Sequence, residues 1–357
     1  MNKSASRIYA VDFIKALAII CVVICHATEN AYPIGREELF SLSAYGKLLA
    51  LSLFTIGRLG VPLFFFSTGF LLLDREYTKE KAIHFYKNNL LGLVLTTEIW
   101  IFIYNILSLT YLKSINYPDA DLKFYQIIYN ALFLKYNLTH MWFMFAIIGI
   151  YAALPFVANG LRSLDIKCFK PLLCIIFIFL FSPSIINVFA RVNGFDPIYH
   201  QLDFSFSGGC YGFMCIMGYA IKKGVFKKVG NFVWTFFAVA GFAVAILLQL
   251  YSNINNVAFG IWYDSAPLVL SSFSIFNLCI KIKGGIFKNF FSLVGRHSFG
   301  IYLIHNIFVI ILNHCVNGVN PFCKMIILFI APFSISLFIT AVICKSKKLG
   351  RILFFMK

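Results

Sequence analysis

The 357-residue chain is 60% hydrophobic, 18% aromatic and only 13% charged, with a mean hydropathy of +0.83. Soluble domains are about 45–50% apolar and about 25% charged, so this composition excludes a soluble globular protein and predicts an all-α, polytopic integral membrane protein. A net charge of +17 would point a soluble chain toward nucleic acid; here loop topology accounts for it, and no nucleic-acid partner is expected.

A bilayer crossing needs about 20 apolar residues. The sequence predicts about ten, at 9–28, 48–73, 90–112, 141–158, 171–190, 204–221, 231–251, 257–280, 289–314 and 322–344. The fourth and sixth are short, and Asp264 and Pro267 interrupt the eighth. They form one expected domain over 1–357, with its core at about 9–344 and a basic tail at 345–357. The first run shows no convincing signal-cleavage site and reads as a retained span.

That first run, Tyr9 to Glu29, carries Asp12, Lys15, His26 and Glu29 among Val, Ile, Leu, Ala and Cys. At about 100° per residue, Lys15 and His26 fall on one helix face, roughly 16 Å apart along the axis. Asp12 lies one turn before Lys15, and Glu29 one turn after His26. A charge inside a membrane helix is costly, so it marks a functional site by default. The competing reading is a structural Asp12–Lys15 pair near the surface, with His26 at headgroup level; four such residues aligned on one face argue for a site.

The second span contains GRLGVPLFFFSTG. Arg58 is always charged and needs an anion or a partner carboxylate in this apolar setting. Ser67 to Gly69 read as a packing seam. The outer loop at about 113–140 contains an amphipathic stretch, Leu122 to Leu138, and Asp119-Ala120-Asp121, which is better read as a solvated turn than as a metal site. His140 and Trp142 open the next span, where Trp is ordinary interfacial chemistry. His305 lies mid-span near the end of the chain, nine positions after Arg296. His84, His200, His297 and His314 are given no role. The ten cysteines include no C-x-x-C pair, so neither a zinc site nor a disulfide framework is expected.

Basic residues set the orientation. With the N-terminus inside, the cytoplasmic segments hold 21 Lys and Arg, from Lys3 and Arg7 through to Lys357, against seven on the other side. Both termini are therefore expected in the cytoplasm of a multi-pass cell (inner) membrane protein. Lys15 then lies toward the cytoplasmic side and His26 toward the outer side.

Four motifs occur in order: D-x-x-K-x10-H at Asp12, Lys15 and His26; R-x-x-V-P-x-F-F from Arg58; H-x-W-F from His140, with Tyr151 and Pro155 following; and S-F-G-I-Y-L-I-H ending at His305. Together they resemble the membrane acyltransferase-3 family, bacterial O-acetyltransferases of surface polysaccharides, over Tyr9 to about Ile343. The resemblance implies ten or so spans, acetyl-CoA as donor substrate with no bound cofactor, and a polysaccharide or lipid-linked glycan acceptor. Its basic residue and histidine fall on Lys15 and His26; the family more often has arginine at the first place, and lysine lacks that bidentate fork. Arg58 matches the second-span basic residue, and Asp12, His140 and His305 match recurrent polar positions. The chain resembles members of the stand-alone type.

On this reading His26 acts as general base or is itself acetylated, Glu29 orients it, and Lys15 and Arg58 meet acyl-CoA, with Asp12, His140, Trp142 and His305 also in substrate binding. A transporter or flippase for lipid-linked glycan is the main alternative, and would be expected to show repeat symmetry and broken helices in matching halves. A structural or glycosyltransfer protein is a third.

Overall fold

The protein is described by a computed structural model covering residues 8–115, 122–134, 139–199 and 208–356. Lys3, Arg7, the Asp119-Ala120-Asp121 turn, Lys135, His200 and Lys357 lie outside the described residues. Those described form helices and connecting segments, with no strand among them. The first helices are α1 (Tyr9–Ala31), α2 (Ala44–Arg58), α3 (Gly60–Leu72), α4 (Lys79–Phe85) and α5 (Leu91–Leu107). Next come α6 (Phe124–Ala131), α7 (Trp142–Ser163), α8 (Lys170–Phe181), α9 (Pro183–Val192) and α10 (Gly209–Lys222). The last are α11 (Asn231–Ile254), α12 (Ala266–Cys279), α13 (Lys288–Cys315), α14 (Pro321–Ile343) and α15 (Lys347–Phe354).

Eight stretches among the described residues are long and apolar enough to cross a membrane, against the ten expected. The sixth and eighth expected runs contain α10 and α12, each of only 14 residues. At 1.5 Å per residue such a helix is about 21 Å long, short of the ~30 Å hydrocarbon core. In the eighth run, residues 257–265 are irregular and the helix starts only at Ala266, with Pro267 in its first turn. Proline fits there because first-turn N–H groups have no helical acceptor. The fourth run is longer than expected, because α7 carries Pro155 internally and continues to Ser163.

The chain divides into two compact units. The first comprises residues 1–75 and 161–338, and its centre is α1, which packs against α2, α3, α12 and α13. About two-thirds of the apolar window of α1 is buried (67%), against 22% for Ile166–Val192 at the periphery. Close approach to α1 depends on missing side chains. A Cβ on Gly57 would fall 2.5 Å from the Cys25 Cα, and one on Gly295 would collide with the Asp12 carbonyl. Glycine at both positions lets α2 and α13 meet α1 backbone to backbone. Between α2 and α3 the helix breaks at Leu59, where Pro62 has no N–H to offer the Arg58 carbonyl. At the end of α3, Asp74 binds Lys223 (Nζ–Oδ1, 2.6 Å) and its carbonyl accepts from Arg162 (2.9 Å). Three segments from the basic set of loops thus meet on one side of this unit.

The second unit comprises residues 76–160 and 339–357. The basic tail expected at 345–357 forms α15, whose last carbonyls are satisfied by this unit: Thr96 donates to the Ile352 carbonyl (3.0 Å) and Trp100 Nε1 to that of Leu353 (2.7 Å). Of the amphipathic stretch Leu122–Leu138, the helical part is α6, and Asn130 there donates to Asn105 of α5 (3.1 Å).

Opposite outcomes are expected for two glycine variants purified in detergent. Gly295→Leu, which drives a side chain into the α1 backbone, lowers the thermal midpoint by the equivalent of about 1–3 kcal/mol. Gly149→Ala in α7, where a Cβ meets nothing within 4 Å, leaves the midpoint unchanged or raises it. Scanning fluorimetry of both against the wild type checks this.

Candidate active site

The stripe on α1 separates into two places. Asp12 is buried where α13 crosses it at Gly295, and Lys15 is half-buried one turn on. His26 and Glu29 lie eleven residues further along, roughly 16 Å by helical rise from Lys15. At this C-terminal end three elements converge. Glu29 Oε2 is 3.2 Å from His26 Nδ1, and Glu29 Oε1 accepts from Arg58 Nη2 at 2.7 Å. His305 of α13 places its ring 5.3 Å from that of His26, centroid to centroid.

The hydrogen bonds assign the tautomers. A carboxylate only accepts, so the His26–Glu29 contact puts an imidazole proton on Nδ1. His305 Nδ1 faces two carbonyls, of Tyr302 (2.7 Å) and Ile301 (3.0 Å), which fixes the same tautomer. The two rings differ in access: the His26 side chain keeps 22% of its surface open, whereas His305 is completely buried.

Arg58 closes α2 directly after Gly57, and the close approach of Gly57 to Cys25 carries the guanidinium to Glu29. The sequence required an anion or carboxylate for this charge, and the structure supplies Glu29. Three aromatic rings cover the guanidinium: Trp262 at 4.3 Å, Phe54 at 4.6 Å and Tyr263 at 4.9 Å from their centroids. Such contacts are worth about 2 kcal/mol when desolvated.

Trp262 and Tyr263 come from the irregular segment before α12, which is pinned from inside. Gln249 of α11 accepts from the Ile261 N–H (3.1 Å) and donates to the Thr55 hydroxyl of α2 (2.8 Å). Ser252 donates to the Val257 carbonyl (2.9 Å). Gln249, Ser252, Thr55 and Ile261 are all completely buried. Non-helical backbone within an apolar bundle persists only where its polar groups are satisfied in this way.

His140 and Trp142 belong to the second unit. His140 is buried against Tyr104 (centroids 4.7 Å), and Trp142 begins α7 beside Phe143. The sequence did not single out Trp262, Tyr263, Phe54 or Gln249. The signal was the GIWYD run, aromatic residues followed at once by a charge that breaks an apolar stretch.

A half-open imidazole whose Nδ1 is held by a carboxylate, itself fixed by a caged guanidinium, can exchange a proton at its other nitrogen. Set in a helical membrane protein, it fits an acyl-transfer enzyme. The sequence profile of the acyltransferase-3 family, described as an acyltransferase domain, matches residues 8–343, and the chain belongs to that family as a membrane acyltransferase. No curated protein and no solved structure matches the chain.

Gln249→Leu leaves the Ile261 N–H unsatisfied, removes one of two partners from the Thr55 hydroxyl, which still donates to the Leu51 carbonyl (2.7 Å), and releases the segment holding the Arg58 cage. The expected result is a loss of about 1–3 kcal/mol in stability for the orphaned N–H. Acyl-transfer activity falls with it, while Gln249→Glu, which keeps the acceptor, loses less. Thermal midpoints and turnover of both variants are the check.

Proposed function

We propose that this protein is an O-acetyltransferase that moves an acetyl group from acetyl-CoA to a sugar hydroxyl of a cell-surface polysaccharide or its lipid-linked precursor. The observation that carries the reading is the Arg58–Glu29–His26 chain, which leaves one accessible basic nitrogen at one end of α1 and a separate basic site, at Lys15, toward the other. The donor is a polyanion and suits the Lys15 end, which lies toward the cytoplasm in the orientation that the basic loops favour. The acceptor suits the His26 end.

In the reaction His26 Nε2 takes the proton of the acceptor hydroxyl as that oxygen attacks the thioester carbonyl carbon. The tetrahedral intermediate collapses with cleavage of the C–S bond, and His26 returns the proton to the departing CoA thiolate. Glu29 holds the tautomer and stabilises the imidazolium formed between the two steps, as carboxylates do for catalytic histidines. Arg58 acts through Glu29: with its guanidinium committed to that carboxylate and to three rings, it is a positioning residue in this mechanism. His305, beside His26 and closed to solvent, fixes the ring's place. An acetyl-His26 intermediate uses the same geometry, with the acceptor attacking in a second step.

Membranes containing the chain, given radiolabelled acetyl-CoA and the glycan-lipid extract of the host, test this. His26→Ala abolishes labelling of glycan. Glu29→Gln, which keeps the shape but not the charge, lowers turnover on the order of 10²–10⁴-fold with little change in the KM for acetyl-CoA. Near-normal labelling by His26→Ala overturns the assignment of the base. Transport of unmodified glycan lipid without any acetyl transfer overturns the reaction itself.

A further inference from the structure

Next to the caged arginine, the first unit contains a cavity of about 270 Å³ lined by Arg191, Tyr199, Phe259, Trp262 and Asp264 among others. Its floor is the irregular segment before α12, along which burial alternates residue by residue. Ile261, Tyr263 and Ser265 are buried, while Trp262 and Asp264 are exposed. The segment therefore presents Tyr263 to the interior and Asp264 to the cavity. Trp262 serves both, lying on the Arg58 guanidinium and also forming a cavity wall. The opposite wall is α9 with the turn after it, fastened by Asn187, which accepts from the Ile198 N–H (2.6 Å) and donates to its carbonyl (2.9 Å). The cavity lies on the His26 side of the unit, since a Cβ placed on Gly260 would lie 3.5 Å from the Ile34 side chain just beyond α1.

We propose that this cavity is the acceptor subsite and takes a single sugar ring. Its volume lies just below the ~300–1,000 Å³ of sites for drug-sized ligands, a size that suits a single ring. Its charge is one guanidinium and one carboxylate, and among the described residues Arg191 and Asp264 form no ion pair with each other. A polyphosphate such as CoA needs an excess of cations, which this lining lacks; an acyl chain needs walls without charge. A sugar has flat C–H faces for Trp262 and Tyr199 and a rim of hydroxyls that donate to Asp264 and accept from Arg191. Through Trp262 the bound ring rests on the same arginine that holds Glu29, so acceptor binding and the orientation of His26 share one side chain.

This assignment rests on the acetyl-transfer reading, and the test separates the two. Full-length wild type, Arg191→Gln and Asp264→Asn are assayed for acetyl transfer to the host glycan-lipid extract. Each purified protein is also probed by saturation-transfer NMR with the oligosaccharide released from that extract by mild acid. The expected result is an acceptor KM raised about tenfold or more in each variant, equivalent to ~1.4 kcal/mol of lost binding. The KM for acetyl-CoA stays within about twofold, because neither residue meets the donor, and the oligosaccharide signal seen with wild type is lost in both variants. Transfer with an unchanged acceptor KM overturns the subsite and leaves the reaction standing. Oligosaccharide binding that depends on Arg191 and Asp264, without transfer by wild type, supports the subsite and overturns the acetyl-transfer reading. Neither binding nor transfer by wild type overturns both.

Discussion

A guanidinium cannot shed its proton in a protein, so Arg58, only 7% exposed in the middle of an apolar helical stretch, must be neutralised where it stands. The bundle answers with one carboxylate and three aromatic faces, and much of the first unit follows from that requirement. Gly57 has to lack a side chain for α2 to come close enough to α1. The helix breaks directly after Arg58, where Pro62 has no N–H to offer its carbonyl. The segment before α12 has to be irregular to lay Trp262 and Tyr263 over the guanidinium, and Gln249 and Ser252 have to be polar to hold that segment. Several rule-breaking features of an apolar sequence thus share a single cause.

Glu29 stands between the caged charge and the histidine. Each of its oxygens has one partner, Arg58 on one and His26 on the other, so the carboxylate cannot rotate without losing a bond. This separates it from an ordinary i,i+3 surface pair, which contributes about 0.2–0.5 kcal/mol and exchanges freely with water. Most of the burial cost falls on Arg58, while His26 keeps an open edge. Desolvation thereby falls on the group that cannot change its charge, and the imidazole stays in reach of solvent.

The helical membrane architecture was legible in composition and hydropathy, because a helix in lipid satisfies its own backbone and needs little beyond length and apolarity. The His26–Glu29 pair was legible for a similar reason, since helical periodicity alone decides which residues share a face, whereas the stripe that joined it to Asp12 and Lys15 falls into two places. The partners were a different matter. That Arg58 turns to Glu29 depends on the Gly57 crossing, and that His305 reaches His26 depends on α13 meeting α1 at Gly295. Neither interval is encoded by local spacing. The run at 257–280 reads as an eighth span by hydropathy, since a buried irregular segment and a membrane helix are equally apolar. Only the polar anchors on the neighbouring α11, visible once Gln249 is placed, tell them apart.

The irregular segment also explains why the site is built partly from a non-helical element. In a helix, neighbouring side chains are about 100° apart, so a single turn cannot serve an interior charge and an exterior cavity with consecutive residues. Here burial alternates along 261–265, and one short run supplies an interior ring at Tyr263, an exterior carboxylate at Asp264 and, at Trp262, a side chain common to both. Such backbone is tolerated inside an apolar bundle where its polar groups find partners, and Gln249, Ser252 and the turn in which the Ser265 N–H donates to the Trp262 carbonyl (3.1 Å) supply several of them. A helix in its place would bury the same apolar area and satisfy its own backbone, but it would leave Arg58 without its cover and the cavity without its floor.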